Sequence, residues 1–284
     1  MAKTGWTAWE KVPGFDFEEI LYEKKWRTHG GGVGRVSFNR PHKMNSFTNR
    51  GIEEMAVALN DLSKDDTVGV GVLTGVGENF GTGGDVSWEA SGGLEIQFLK
   101  GGAPNTALRL CRKPLIAAVK GYCIGGSHHI AYFCDFSVAS DNSIFGQTGP
   151  RVGSPAQGFI ISYLTMVVGA KKAREIWMLC RQYTAQEALQ MGLVNTVVPL
   201  EKLDEEVDKW CDELLDRCPS ILIMQKASFD AIMDNLDGDF GRYLCRMAPD
   251  FFDSEEPTEA QAAYFEKRRP NFWQNRLPEQ LKNK

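Results

Sequence analysis

The sequence predicts an α/β fold, and three observations predict it. From Glu19 to Ala139, short apolar or alternating segments take turns with segments of helical periodicity. Glycine pairs, Gly83-Gly84 and Gly125-Gly126, fall where a strand hands over to a helix. Beyond Gly158 the pattern turns helical and stays so.

Glu19 to Lys25 and Gly34 to Asn39 alternate in strand fashion around Thr28-His29-Gly30-Gly31-Gly32, which predicts a β-hairpin. Ile52, Met55, Ala56, Leu59 and Leu62 recur at helical spacing and predict a helix from Asn49 to Leu62, followed by a strand from Val68 to Thr74. Gly75 to Gly102 is rich in glycine and lacks periodicity. A helix ending near Cys111 and a strand from Leu115 to Val119 follow it. Gly121-Tyr122 leads into a helix running through His128 to Phe133, and Phe136 to Ala139 returns as a strand. Helices are then expected over Phe159 to Val168, Ala170 to Cys180, Ala185 to Met191, Leu203 to Arg217 and Ser220 to Asp234. A last helical segment, Asp239 to Lys267, is broken at Pro249 and Pro257. Residues 1–199 are expected to form the core with an N-terminal leader, and residues 200–284 a helical C-terminal region.

Hydrophobic residues make up 43% and charged residues 24% of the 284, the balance of a folding chain rather than a disordered one. A net charge of −5 gives no electrostatic reason to bind nucleic acid or an anionic membrane, so neither is expected as a partner. No run approaches the roughly 20 apolar residues needed to span a bilayer. The N-terminus carries charges inside every apolar stretch, unlike a signal peptide, and a cytoplasmic location is expected. Cys111, Cys123, Cys134, Cys180, Cys211, Cys218 and Cys245 are scattered, with no CxxC pair and no histidine at metal-ligand spacing. They are expected to be reduced packing residues, and no metal site is expected.

Two segments carry chemistry. In Asn79-Phe80-Gly81-Thr82-Gly83-Gly84-Asp85, successive glycines let backbone N–H groups approach an anion. In Gly121-Tyr122-Cys123-Ile124-Gly125-Gly126-Ser127-His128-His129, a glycine pair opens a helix, whose first N–H groups are free and backed by the helix dipole. Together they form a candidate oxyanion hole of two N–H groups.

These segments, with Asn39-Arg40-Pro41, Asn45 and Phe145-Gly146-Gln147, occur in the order and spacing of the crotonase (enoyl-CoA hydratase/isomerase) superfamily, which the chain resembles from about Phe17 to Phe272. Within it, Phe145 to Ser154, Lys171 to Trp177 and Cys180-Arg181-Gln182-Tyr183 most resemble the 1,4-dihydroxy-2-naphthoyl-CoA synthases and the ring-opening 2-ketocyclohexanecarboxyl-CoA hydrolases. The resemblance implies a ββα-spiral core, an oxyanion hole at the N–H groups of Gly84 and Gly126, and a homotrimer or dimer of trimers. It implies an acyl-CoA substrate, with no covalently bound cofactor. The coenzyme A would lie against Lys43, Asn45, Thr82, Asp85 and Lys267 of a neighbouring subunit. It also implies a bicarbonate or water near Gln147, Thr148, Gly149 and Trp177.

Departures from the family pattern narrow the chemistry. Hydratases carry two glutamates where this chain has His129 and Gly149. The naphthoate synthases and ring-opening hydrolases carry an aspartate and a tyrosine where Ala156 and Phe252 stand, and neither of these transfers a proton. His129 is the new proton-transfer group, and Ser154 remains as a hydrogen-bonding partner for the small anion or water in the site. Trp177 is expected to wall an aromatic or alicyclic acyl pocket. His128 is expected to point elsewhere, Asp85 and Asp135 to hold loops, and His29 and His42 to face solvent.

The expected function is hydrolytic ring opening of a cyclic β-oxoacyl-CoA through a thioester enolate. The alternatives are naphthoate-synthase-like ring closure, hydration of an alicyclic enoyl-CoA, and a non-catalytic CoA-binding paralogue.

Overall fold

The computed structural model describes residues 5–93, 104–154, 156, 158–236 and 254–272. Among the described residues there are ten strands: β1 (Glu10–Lys11), β2 (Ile20–Trp26), β3 (Gly32–Phe38), β4 (Val68–Gly75), β5 (Leu115–Val119), β6 (Tyr122–Ile124), β7 (Phe136–Ser140), β8 (Ile144–Gly146), β9 (Gln182–Thr184) and β10 (Thr196–Val198). Seven of them form the main sheet in the order β1-β2-β3-β4-β5-β7-β10. β2 and β3 are the predicted hairpin, in register from Ile20↔Phe38 to Trp26↔Gly32. From β3 to β10 every pairing in this sheet is parallel, which requires a crossover between successive strands.

The first crossover is helix α1 (Asn49–Lys64), whose N-cap Thr48 accepts a hydrogen bond from the Arg50 N–H. Ile52, Met55, Leu59 and Leu62 are buried as their spacing predicts. Each contributes about 1.5–3 kcal/mol of hydrophobic stabilisation. β5 is buried on both faces. Leu115, Ala117 and Val119 face the core shared with α1, whereas Ile116 and Ala118 face a second core closed by Leu203, Val207 and Cys211. Those last three lie on a helix, Leu203–Leu215, that covers the far side of the sheet.

The other helices are α2 (Val86–Trp88), α3 (Pro104–Leu110), α4 (Gly126–Phe133), α5 (Gly149–Val152), α6 (Phe159–Val168), α7 (Ala170–Leu179) and α8 (Ala185–Gln190). The helix over the second core is α9, and α10 (Pro219–Leu236) and α11 (Glu255–Phe265) follow it. α10 is fastened by Lys226 Nζ, 3.1 Å from the Lys113 carbonyl and 2.7 Å from Asp135 Oδ2. Asp135 thus holds a junction, as expected. Pro257 and Ala260 of α11 pack on Gly153, at the end of α5.

Three expectations need correction. The last helical segment is not broken at Pro257, because α11 carries that proline in its first turn, where an N–H would have no intrahelical acceptor, and Pro249 lies outside the described residues. The chain does not pass from Gly121-Tyr122 directly into a helix. β6 intervenes and forms a small second sheet with β8 and β9, because Cys123 pairs with Phe145 and Phe145 with Tyr183. Cys218 is exposed at the turn before α10 rather than packed. Cys111, Cys123, Cys134, Cys180 and Cys211 are buried and unbridged, and Cys245 lies outside the described residues. No helix among the described residues is long and apolar enough to cross a membrane.

Candidate active site

β6 positions the site. The loop Gly81 to Gly84 runs beside it, with a bridge from Gly81 to Cys123, and on its other side Gly84 bridges to Phe47. Phe47 donates its N–H to the Gly83 carbonyl and accepts the Asp85 N–H, which turns the intervening Gly84 N–H away from Phe47. The Gly83 N–H is held at 3.0 Å by Ser127 Oγ. Across the gap, Gly125 caps α4, so the Gly126 N–H opens that helix with no intrahelical acceptor. The loops touch at their backbones: a Cβ added to Gly83, whose φ is +87°, would fall 2.6 Å from the Gly126 nitrogen. Gly84 and Gly126 both line one cavity of about 660 Å³.

Thr82, Asp85, Gln147, Thr148, Gly149, Ser154, Ala156, Trp177 and His129 line the same cavity, as does Lys43 at its exposed rim. Phe47, Trp88, Val152, Ile160, Tyr264 and Phe265 give it apolar walls. His42 is exposed as expected, yet it stands at the cavity rim. Asn45 departs from expectation. It is 1% exposed and absent from the cavity wall, because its side chain accepts the Arg40 N–H and donates to the carbonyls of Val76 and Asn79. These three bonds lock the turn that presents Lys43. Lys267 is exposed beyond α11 and does not reach the cavity of its own chain. Phe252 lies outside the described residues.

Asp85 is a tether. Burial works to raise its pKa, but the Arg40 guanidinium at 3.0 Å and the N–H groups of Ser87 and Trp88 outweigh it and hold the carboxyl below the usual range.

Gln147 joins both histidines of α4. Its Nε2 donates to His128 Nδ1 at 3.0 Å, and its Oε1 accepts from His129 Nε2 at 3.2 Å. With the amide so oriented, His129 carries its proton on Nε2 and keeps Nδ1 as a free base. Burial pushes His129 down to about 4, against the Gln147 hydrogen bond, so the ring is neutral at pH 7. His128 is buried away from the cavity and pushed down to about 3 by burial and by its neighbour His129. It acts on the site only through Gln147. The Trp177 ring stands 5.1 Å from that of His129, and its Nε1 has no acceptor among the described residues. An N–H left buried in this way is a ready donor to a water or small anion.

The sequence pattern missed one group that faces the cavity. Glu89, in a π-helical turn of residues Glu89–Gly93 directly after α2, turns its carboxyl back over Gly84. Burial pushes that carboxyl up to about 7, with Asp85 adding to the rise and a hydrogen bond with Ser154 opposing it. A glutamate four residues beyond an aspartate that itself caps a turn is the one signal that could have found it.

A cavity lined by Gly84 and Gly126, with a neutral histidine, a carboxyl pushed up to about 7 and apolar walls, suits a planar, polarised acyl group. The enoyl-CoA hydratase/isomerase family model matches residues 28–275. An enoyl-CoA hydratase from Mycobacterium avium subsp. paratuberculosis K-10 is similar in structure, with a TM-score of 0.78, 27% identity and coverage of 90% of this chain and 99% of that one. The enoyl-CoA hydratase subunit I of Geobacillus kaustophilus HTA426 is 31% identical, with a TM-score of 0.68 and coverage of 91% and 99%. A methylmalonyl-CoA decarboxylase shares the fold at 24% identity, a TM-score of 0.79 and coverage of 90% and 98%. With its α/β sheet, helical C-terminal part and a match over most of its length, the chain belongs to the enoyl-CoA hydratase/isomerase family, the crotonase superfamily of acyl-CoA enzymes.

Proposed function

We propose that the protein opens the ring of a cyclic β-oxoacyl-CoA with water, through a thioester enolate held by the N–H groups of Gly84 and Gly126. Such donors are fixed before charge develops and cost no reorganisation during reaction; each is typically worth 10²–10³ in rate. His129 Nδ1 takes a proton from the attacking water. That water, or a bicarbonate, is held near Gln147, Thr148, Gly149 and the Trp177 Nε1–H. Thr82 and Lys43 at the rim take the coenzyme A moiety, with Lys267 supplied by a neighbouring subunit of a trimer.

One observation carries this proposal: His129, hydrogen-bonded to Gln147, lines the same cavity as Gly84 and Gly126.

Mass spectrometry of three esters tests the reaction: a cyclic β-oxoacyl-CoA, o-succinylbenzoyl-CoA and a cyclic enoyl-CoA. The expected result is gain of water with a new carboxylate on the first alone. Loss of water from the second, hydration of the third alone, or inertness toward all three would each sink ring opening. His129→Ala is expected to slow the reaction about 100-fold, the lower end for acid–base groups, because a base pushed down to about 4 is weak.

A further inference from the structure

We infer that Glu89 is the catalytic acid of this site, the group that carries a proton to and from the substrate α-carbon. Glu89 in this role presupposes the thioester enolate chemistry proposed above, whatever reaction generates the enolate.

Geometry carries the assignment. The Glu89 N–H is tied to the Asp85 carbonyl at 2.9 Å, and the π-helical turn that follows returns the side chain toward the loop it came from. A side chain on Gly84 would collide with Glu89 Oε1, so the carboxyl occupies the space that this glycine leaves open. It therefore lies against Gly84, whose N–H is proposed to hold the thioester oxygen, and so beside the carbon skeleton of that thioester. Ser154, from the loop after α5, hydrogen-bonds the carboxyl from a second direction and orients it.

The charges around it favour an acid. Asp85 is the nearest anion, already neutralised in part by Arg40 behind it. His129 on α4 is neutral, and His42 and Lys43 stand at the rim. Burial thus dominates and pushes Glu89 up to about 7. An enolate arriving next to the carboxyl raises it further, since two adjacent anions repel strongly where water is excluded. Asp85 cannot take the role, because its oxygens are committed to Arg40, Ser87 and Trp88.

The step balances. Water gives a proton to His129, and its hydroxide adds to the ring carbonyl. The bond from that carbon to the α-carbon breaks, its electron pair entering the thioester enolate and leaving a carboxylic acid. The Glu89 O–H proton passes to the α-carbon as the enolate returns to a thioester, and the proton on His129 then restores Glu89 through water. Run alone and in reverse, the same carboxyl as carboxylate removes an α-proton from a saturated thioester.

These two directions have opposite pH dependence. α-Proton removal needs the carboxylate, so it rises through about pH 7 and then levels. Ring opening needs the acid, so it falls above about pH 7.

The test is α-hydrogen exchange of cyclohexanecarbonyl-CoA in D₂O, followed by NMR, which requires no ring opening. Wild-type protein is expected to exchange the α-hydrogen with the rising profile. Glu89→Gln is expected to slow exchange about 100-fold and abolish the pH dependence, Glu89→Asp to recover part of it, and calorimetry to show unchanged binding of the ester by both variants. Wild-type exchange rates in Glu89→Gln, or no exchange by the wild type, would overturn the assignment. Glu89-dependent exchange without ring opening of the β-oxo ester supports Glu89 while overturning the proposed reaction.

Discussion

Replacing Gly83 with alanine is expected to lower kcat by about 1,000-fold or more, with the far-ultraviolet circular dichroism of the protein unchanged. Gly83 makes neither proposed contact to the thioester oxygen, yet it sets the distance between the two that do. At φ +87° the added Cβ would fall 2.6 Å from the Gly126 nitrogen, 3.1 Å from the Ile124 carbonyl oxygen and 3.3 Å from the Gly125 carbonyl carbon. All three are backbone atoms, so no side chain can swing aside, and the two loops must part. Displacing both N–H groups removes what one donor supplies, about 10²–10³ in rate, twice over in part. Backbone strain alone adds only about 1–2 kcal/mol to the instability of the variant. Gly14→Ala separates the two effects: its φ is +85°, close to that of Gly83, but nothing lies within 4 Å of the new Cβ, so this variant has the positive φ without the collision. Gly14→Ala is expected to turn over normally. Equal activity in Gly83→Ala would remove the oxyanion assignment from this pair of loops.

Much of the scaffold was legible because its elements are long enough to show a period. α1 buries Ile52, Met55, Leu59 and Leu62 as spaced, and β2 and β3 pair around the glycine turn that announced them. β6, β8 and β9 were not legible. Each has three residues, too few for alternation to register, and each is a strand only because Cys123, Phe145 and Tyr183 line up across long stretches of chain. The glycine loops could be located from composition alone, and both Gly84 and Gly126 line the cavity. Side-chain roles were harder. A turn asparagine reads the same whether it meets a ligand or the backbone, and Asn45 turned out to pin Val76 and Asn79. The Gln147 bridge to His128 and His129 spans nearly twenty residues and exists only after folding. Glu89 was hidden in a stretch without periodicity, where only the turn after Asp85 gives it an address.

Asp135→Ala is expected to destabilise the fold by about 3–5 kcal/mol, the cost of stranding a buried charge. Asp135 Oδ2 accepts hydrogen bonds from the Leu115 N–H at 2.8 Å and from Lys226 Nζ at 2.7 Å. One carboxylate oxygen therefore ties the first residue of β5 to the middle of α10. Lys226 is 7% exposed, and without Asp135 it keeps only the Lys113 carbonyl at 3.1 Å. An ammonium so buried cannot be rehydrated without pulling α10 from the sheet, and the Leu115 N–H loses its acceptor at the same time. Thermal melting at fixed protein concentration is expected to show a Tm lower by on the order of 10 °C. The cause is separable. Adding Lys226→Met to Asp135→Ala removes the stranded charge and should return part of the loss, whereas a loss that came only from the Leu115 N–H would stay in full. Because β5 leads through Gly121 into β6, loosening this junction also loosens the support of the Gly126 N–H. Asp135→Ala should therefore lose activity at temperatures where its circular dichroism is still that of the folded protein. A melting temperature equal to that of the wild type would mean that the carboxylate is not what holds α10 to the core.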